Sequence, residues 1–204
     1  MIKTVVNDVE LKFKTNEELF SPKYLDKGTL AMLSIIEFEK NDKVLDLGCG
    51  YGLIGILAAK LCIPANITMV DINEKAVKCS KENAKLNGVP EVEVTLSDGY
   101  SNILTNDFNK IICHPPYHAD FSVAKMIIEK GFNRLAIGGH IYLVTKRKEW
   151  YKNKLISTFG GVKIWEIEGY YVFMAIKKES SYSKAKPRKK RKKTGENNKE
   201  IFKK

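Results

Sequence analysis

The sequence feature that most constrains the fold is a glycine-rich segment between an apolar run and a helical pattern. The segment is Val44-Leu45-Asp46-Leu47-Gly48-Cys49-Gly50-Tyr51-Gly52, and residues 53–59 after it are almost entirely apolar. Its apolar part suits a buried parallel strand, and its glycines let the backbone turn sharply with no Cβ in the way. The first amide groups of the helix that follows have no internal partners. The segment therefore predicts a strand, a tight turn and a helix around a ligand site.

The glycine spacing differs from the dinucleotide-binding pattern G-x-G-x-x-G, because Leu53 stands where the third glycine belongs. Asp46 lies two residues before the first glycine, where a carboxylate would repel a pyrophosphate but favour a cationic amino group. The segment resembles motif I of the class I S-adenosylmethionine (SAM) methyltransferases, D-x-G-x-G-x-G. The alternative, from this segment alone, is another nucleotide. The resemblance implies that the methionine part of SAM binds at Asp46, Gly48, Cys49, Gly50 and Gly52.

Length and composition predict one catalytic domain in a soluble, cytoplasmic protein. The chain has 204 residues and no apolar run of the length a bilayer requires, and its N-terminus has no signal-peptide layout. Its four cysteines show no C-x-x-C spacing, which favours buried thiols in a reducing compartment over a disulfide or metal site. They are Cys49, Cys62, Cys79 and Cys113.

Positive charge is concentrated at the C-terminus. Residues 180–204 contain eleven Lys or Arg and two Glu, so they carry +9 of the net charge of +11. We therefore predict a folded domain over residues 1–178 and a disordered basic tail over residues 179–204. The densest part, residues 184–193, suits an electrostatic arm that binds RNA phosphates. A tail that only improves solubility is the alternative.

Two further strands are predicted to end in acidic residues beside the glycine turn. Residues 67–71 form a strand that ends at Asp71, a position from which a carboxylate accepts hydrogen bonds from both ribose hydroxyls. Residues 92–96 form the next strand and lead to Asp98, which we assign to the adenine amine. For Asp98 an ordinary turn aspartate is the alternative. The predicted cofactor-binding set also includes the flanking residues Ile72, Ser97 and Gly99, together with His114.

The fourth predicted strand, residues 110–113, leads into His114-Pro115-Pro116-Tyr117. Two prolines stop strand pairing, stiffen the backbone and leave carbonyl groups without ladder donors. Such a corner can accept hydrogen bonds from a substrate amine while an aromatic ring stacks on a planar base. A rigid structural turn is the alternative.

Together these motifs resemble the small-subunit ribosomal RNA guanine-N2 methyltransferase family and its single-domain archaeal relatives. The likeness covers about residues 9–178 and includes Phe20-Ser21-Pro22 and the stretch from Asp26 to Thr29. It implies SAM as cofactor and N2 of a guanine in ribosomal RNA as acceptor. It also implies catalytic roles for His114, Pro115, Pro116 and Tyr117. The alternatives are a non-catalytic SAM- and RNA-binding assembly factor, or a methyltransferase for protein or a small molecule.

One residue departs from the family pattern. The family's tetrad begins with Asn or Asp, whose side-chain oxygen accepts from the target amine, and this chain has His114. A neutral imidazole accepts one hydrogen bond, whereas an imidazolium accepts none. Three explanations stand: His114 makes amine methylation sensitive to pH, it serves a different acceptor, or the protein binds SAM and RNA without turnover.

The remaining patterns complete an α/β fold. We expect a Rossmann-like seven-stranded, mostly parallel sheet with helices on both faces and a C-terminal antiparallel strand pair. In the N-terminal 40 residues we expect an exposed strand over 9–14, a lid or plain loop, and a helix over 30–36 capped by Thr29. Beyond the tetrad we expect helices over 121–135 and 150–159, strands over 140–144, 163–167 and 170–176, and a helix exit at Gly138-Gly139. The oligomeric state is left open.

Overall fold

The computed structural model describes residues 1–15, 24–116 and 120–179 of the chain. The strands are β1 (Ile2–Val6), β2 (Val9–Phe13), β3 (Val44–Leu47), β4 (Ile67–Asp71), β5 (Glu93–Leu96), β6 (Phe108–Cys113), β7 (Leu135–Thr145), β8 (Lys163–Ile167) and β9 (Tyr170–Ile176). The α-helices are α1 (Lys27–Leu33), α2 (Leu53–Leu61), α3 (Glu74–Leu86), α4 (Phe121–Arg134) and α5 (Lys148–Phe159). The basic tail, Phe20-Ser21-Pro22, Tyr117 and His118 lie outside the described residues, except that Glu179 is included.

Seven strands form one sheet in the order β5-β4-β3-β6-β7-β9-β8. Strands β3 to β7 pair in parallel, and β9 runs antiparallel to both β7 and β8. Strand order reverses between β3 and β6, so the loops after these neighbouring strands diverge and leave a crevice, as in other doubly wound sheets. The fold class expected from the sequence is confirmed.

Helices cover both faces of the sheet. Apolar residues of α1, α2 and α3 share one core with alternate residues of the strands, such as Val44, Met69 and Ile112. Those of α4 and α5 share a second core with the opposite alternation, such as Leu45, Val70 and Ile111. Among the described residues, no helix combines the length and the apolar character needed to span a bilayer. The sheet is therefore a buried layer, and its carboxyl edge is the place where polar side chains gather.

The prediction of an exposed strand near the N-terminus is wrong in two respects. Residues Val9–Phe13 pair with β1, a strand that the sequence analysis missed, in a separate antiparallel hairpin. Leu11 and Phe13 are fully buried, and Phe13 packs edge-on against Tyr51 at 5.3 Å between ring centroids. The alternation of apolar and polar residues in β2 marks one buried face, so the hairpin covers α2 and α3.

Two predicted element boundaries also differ. Helix α1 begins earlier than expected because Asp26, rather than Thr29, is its N-cap, and the Asp26 carboxylate accepts from the Thr29 amide at 2.7 Å. Gly138-Gly139 lies inside β7 and is not a helix exit. The strand continues there past a bulge opposite Phe108, and a Cβ on Gly139 would lie 2.7 Å from the Phe108 carbonyl oxygen. Close approach to another backbone therefore explains Gly139, whereas Gly138 has a φ of 86°, in the left-handed region that favours glycine.

Candidate active site

A cavity of about 490 Å³ opens at the carboxyl edge of β3, β4, β5 and β6. Most of the residues that the sequence analysis selected line it. They are Gly48, Cys49, Gly50, Asp71, Ile72, Ser97, Asp98, Gly99, His114, Pro115 and Pro116. Asp46 and Gly52 do not line the cavity, and Tyr117 lies outside the described residues. Residues from four separate loops are thus brought to one site.

The glycine turn forms the floor of the cavity. The amides of Gly48 and Cys49 both donate to the Val70 carbonyl, at 2.8 and 2.9 Å, so the turn is tied to the end of β4. Gly48 and Gly50 have φ values of 81° and 58°, in the left-handed region that disfavours side chains. A Cβ on either residue would meet nothing within 4 Å. These two glycines are therefore needed for the backbone conformation, and the space above them is open to a ligand.

Asp71 braces the same turn from the neighbouring strand. Its Oδ2 accepts from the Gly50 amide at 2.9 Å, and its Oδ1 accepts from the Asn73 amide at 2.9 Å. One carboxylate thus joins the glycine turn to the start of α3, where Asn73 is the N-cap. Asp71 is half-buried in the cavity wall, and each oxygen has a second lone pair for a hydroxyl donor.

Asp46 lies behind the wall and not in the cavity. It is fully buried in β3, and its Oδ2 accepts from the Gly55 amide at 2.9 Å. Gly52, the N-cap of α2, has no side chain to cap the helix, so Asp46 supplies the missing acceptor from the strand below. Its Oδ1 has no hydrogen-bond partner among the described residues. Burial, together with the nearby charge of Asp71, raises the pKa of Asp46 to about 7, although the Gly55 amide opposes this.

Helix α3 supports the turn through two buried residues that the sequence analysis missed. The Ser80 hydroxyl donates to the Gly50 carbonyl at 2.8 Å, and the Asn83 amide donates to the Tyr51 carbonyl at 2.8 Å. Asn83 also donates to the Lys14 carbonyl, which anchors the N-terminal hairpin. Both residues lie on the apolar stripe of an otherwise polar helix, which is the signal that marks them in the sequence.

Two of the four cysteines, Cys49 and Cys113, line the cavity as neutral thiols. Cys49, Cys62 and Cys113 are buried and free, as expected, whereas Cys79 is half-exposed and donates to the Lys14 carbonyl. Burial raises the pKa of Cys49 and of Cys113, so both stay protonated at neutral pH. Within the described residues, no three His, Cys, Asp or Glu side chains are grouped to hold a metal ion.

His114 is held at the cavity wall by the first turn of α1. Its Nδ1 lies 3.0 Å from Asp26 Oδ1 and 3.1 Å from Thr29 Oγ1, and only 8% of its side chain is exposed. Gly28 makes this approach possible, because a Cβ there would lie 2.7 Å from the Tyr170 ring and 3.0 Å from His114 Cε1. Tyr170 in turn meets the imidazole edge-on at 6.4 Å between centroids. Helix α1, β6 and β9 therefore fix one ring from three sides.

The charge of Asp26 determines which imidazole nitrogen carries a proton. Burial alone would raise the pKa of Asp26, but hydrogen bonds from His114 and Thr29 outweigh it and lower the pKa below its usual value. A carboxylate only accepts hydrogen bonds, so the 3.0 Å contact requires a proton on His114 Nδ1. In the neutral ring this tautomer places the lone pair on Nε2, which makes that nitrogen an acceptor.

The sequence analysis did not select Asp26 and Thr29 as site residues. Both line the cavity. An aspartate three residues before a threonine is a common helix start, and this signal predicts the cap but not the histidine contact across 85 or more residues of chain. Only the three-dimensional arrangement shows that the cap of α1 also positions His114 at the cavity wall.

The cavity suits the cofactor that the sequence resemblance implies. Its volume is within the usual range for small-molecule sites, and it combines acidic residues with apolar side chains. The apolar part comes from α2 and α4 and includes Ile54, Val123, Met126 and Ile127. The open space above Gly48 and Gly50 can hold the amino-acid part of SAM. The carboxylate oxygens of Asp71 can accept hydrogen bonds from the ribose hydroxyls, and the apolar wall suits the adenine.

We expect the Asp46→Asn variant to be more stable than the wild type above pH 7. Because the folded state binds the Asp46 proton more tightly than the unfolded chain, the free energy of unfolding falls as pH rises from about 4 to 7. The full pKa difference corresponds to about 4 kcal/mol. Asparagine keeps an acceptor for the Gly55 amide and removes the charge. Urea unfolding of both proteins between pH 4 and 8 checks this, and parallel stability curves would contradict a proton held by Asp46.

The sequence of residues 10–174 matches the family model described as methyltransferase small domain. The uncharacterized protein YbxB of Bacillus subtilis is 34% identical over 174 residues, which cover 82% of this chain and 87% of YbxB. Ribosomal RNA small subunit methyltransferase C of Serratia proteamaculans is 32% identical over 166 residues, which cover 79% of this chain and 47% of that protein.

A solved structure supports the same fold. The T. thermophilus 16S rRNA N2 G1207 methyltransferase RsmC, in complex with AdoMet and guanosine, superposes with a TM-score of 0.78 at 22% identity. The match covers 86% of this chain and 50% of that one. The chain thus spans about half the length of the Serratia and T. thermophilus proteins.

The family match begins within β2, covers the glycine turn, the acidic strand ends and the His114 corner, and extends into the last strand pair. The methyltransferase family expected from these motifs is therefore confirmed. The chain belongs to the methyltransferase small domain family.

Proposed function

We propose that the protein is a SAM-dependent methyltransferase that modifies N2 of a guanine in ribosomal RNA. The observation that carries this proposal is that the His114-Pro115-Pro116 corner and the glycine turn line one cavity. Support also comes from the relatives, several of which are named ribosomal RNA small subunit methyltransferase C. A ribosomal RNA substrate would in turn place the protein in the cytoplasm.

Different residues of the cavity bind different parts of SAM. The turn at Gly48, Cys49 and Gly50 borders the methionine part, and Asp71 accepts from the ribose hydroxyls while it keeps its two backbone amides. Asp98, which is exposed and lies two residues after the end of β5, accepts a hydrogen bond from the adenine amine. Ile72, which is 69% exposed beside Asp71, covers the ribose edge. Asp46 acts indirectly, since it holds the first turn of α2 and does not reach the cavity.

His114 and Pro115 act on the amine that receives the methyl group. The sulfonium of SAM supplies an activated methyl group, so the protein has to align the acceptor and stabilise the charge that develops on nitrogen. The His114 imidazole, in the tautomer imposed by Asp26, accepts a hydrogen bond at Nε2 from one N–H of the target amine. The Pro115 carbonyl accepts a hydrogen bond from the second N–H of that amine. A histidine in this position thus performs the role of the family's Asn or Asp.

The histidine also explains why Asp26 is placed at the start of α1. An asparagine needs no external group to define its acceptor oxygen, whereas an imidazole has two nitrogens that exchange roles. Asp26 removes this ambiguity by accepting from Nδ1, and Thr29 supports the contact. This pairing favours retained amine methylation over a protein that only binds SAM and RNA.

The basic tail is proposed as a second RNA contact. Residues 184–193 contain no acidic residue and eight of the tail's eleven cations. Since phosphate neutralisation releases counterions, such a segment contributes affinity that depends steeply on salt and weakly on sequence. The tail would therefore hold ribosomal RNA near the cavity without selecting the target nucleotide.

The direct test incubates the protein with tritiated SAM and, separately, with total RNA, isolated ribosomal subunits and protein. We expect label in the RNA of the RNA or subunit samples, recovered as N2-methylguanosine after digestion. Label confined to protein would overturn the RNA substrate. Absence of label in all samples, with SAM binding intact by calorimetry, would favour the non-catalytic assembly factor.

We expect His114→Ala to lower kcat by about ten- to a thousandfold, as for loss of a transition-state hydrogen-bond acceptor, with little change in SAM affinity. His114→Asn restores the family's acceptor and should keep most of the activity. His140→Ala is the matched control, because His140 is half-buried in the same sheet away from the cavity. Methyl transfer under single-turnover conditions and calorimetry with SAM measure both effects. Unchanged turnover in His114→Ala would remove this residue from the mechanism.

We expect deletion of residues 180–204 to weaken RNA binding and to reduce its salt dependence, because up to nine net positive charges are removed. Fluorescence anisotropy with labelled ribosomal RNA fragments at several salt concentrations gives the slope of log K against log salt. SAM affinity of the shortened chain is the control for an intact domain. An identical slope in both proteins would show that the tail only improves solubility.

A further inference from the structure

Three consecutive cations follow β7 at the same edge of the sheet as the cavity. Strand β7 pairs in parallel with β6, so its carboxyl end lies beside the loop that begins with His114. Lys146, Arg147 and Lys148 come directly after its last residue, Thr145. We call these three residues the basic rim. Parallel pairing alone therefore places this group of positive charge next to the candidate active site.

Each cation of the basic rim lies over an aromatic ring. The Nζ atoms of Lys146 and Lys148 lie 4.9 and 4.8 Å from the ring centroids of Tyr170 and Tyr171, respectively. The Arg147 guanidinium lies 5.0 Å from the Phe121 centroid, on the side of α4. Contacts of this kind contribute only about 0.5–1 kcal/mol at exposed sites. They orient the side chains toward both neighbouring elements without neutralising their charge.

The charges of the rim are available to an anion. None of the three cations forms an ion pair with any residue in the described part of the chain. Glu149, the acidic residue nearest in sequence, pairs with Lys152 at 3.8 Å. Glu168, two residues before Tyr170, pairs with Lys27 at 3.8 Å. Lys146 and Arg147 are exposed, and Lys148 is half-buried. The rim is thus an accessible patch of three positive charges.

The rim is connected to the cavity by a shared side chain. Tyr170 contacts Lys146 through its ring and meets the His114 imidazole edge-on. On the other side, Phe121 contacts Arg147 and stacks on Trp150 with 4.6 Å between centroids. Cations and aromatic rings therefore lie in contact with one another beside the cavity, a combination typical of surfaces that bind single-stranded nucleic acid.

We propose that the basic rim binds the phosphates of single-stranded RNA that flank the target nucleotide. This inference rests on the proposed function, since a base reaches the cavity only after it leaves its stack and exposes the adjoining backbone. Cations beside the cavity then hold the strand on either side of the displaced base. The rim differs from the basic tail because its charges have defined positions relative to His114.

The test uses the full chain and a fluorescein-labelled single-stranded RNA of about twenty nucleotides. The rim variant is Lys146→Gln/Arg147→Gln/Lys148→Gln. The control variant is Lys78→Gln/Lys81→Gln/Lys85→Gln, which removes the same charge from the exposed face of α3. We expect the rim variant to lower the magnitude of the log K against log salt slope by about 2, since each single-strand phosphate contributes about 0.7. The dissociation constant should rise at least about tenfold, and the control should change the slope much less.

Further variants separate loss of charge from loss of structure. Lys146→Arg/Lys148→Arg keeps the charge and should keep the slope, whereas Arg147→Gln alone should lower it by about 0.7. SAM affinity and thermal unfolding show that each variant is folded. Equal slopes for wild type, Arg147→Gln and the rim variant would overturn the proposal, as would equal losses in the rim and control variants. Equally effective displacement of the RNA by poly-glutamate would assign the rim to an acidic protein and also overturn it.

The outcome is independent of methyl transfer. RNA binding is measured without SAM turnover. If the wild-type protein methylates no RNA, the proposed function is contradicted, but the slopes of log K against log salt still decide whether the rim binds RNA. Conversely, active wild type with unchanged slopes in the rim variants removes the rim and leaves the proposed function intact.

Discussion

The site depends on one carboxylate that joins two crossovers of the sheet. Asp71 accepts from the Gly50 amide and from the Asn73 amide, and so it fixes the turn before α2 relative to the start of α3. The backbone of the turn is in the left-handed region at Gly48 and Gly50 and has no side chains of its own to stabilise it there. Buried donors on α3 complete the support. The cavity floor is therefore rigid before any ligand binds, which lowers the entropic cost of binding.

The opposite wall is built differently, around a side chain that replaces the family's usual residue. A histidine at position 114 is larger than an asparagine and has two chemically distinct nitrogens. The first turn of α1 supplies both the space and the partner, because Gly28 omits a side chain and Asp26 presents a carboxylate. The acceptor role that we propose for the corner thus depends both on the loop after β6 and on a helix far from it in sequence.

Local patterns were sufficient to predict the sheet, most helices and the residues that line the cavity from β3, β4, β5 and β6. These residues follow buried strands directly, and the carboxyl ends of parallel strands meet at one edge. The hairpin partner of β2, the Asp26 contact and the position of Asp46 behind the wall were not predictable in this way. Each depends on which face of an element is covered by a segment distant in sequence, and periodicity contains no information about that segment.

The packing of Gly28 against two rings has a consequence for how the family diversifies. A change at position 114 to asparagine would leave the Asp26 carboxylate without the imidazole proton and leave a gap beside Tyr170. A change at position 28 to any larger residue would displace both rings. Positions 26, 28, 114 and 170 are therefore packed as one unit, so we expect relatives with another residue at position 114 to differ at the neighbouring positions as well.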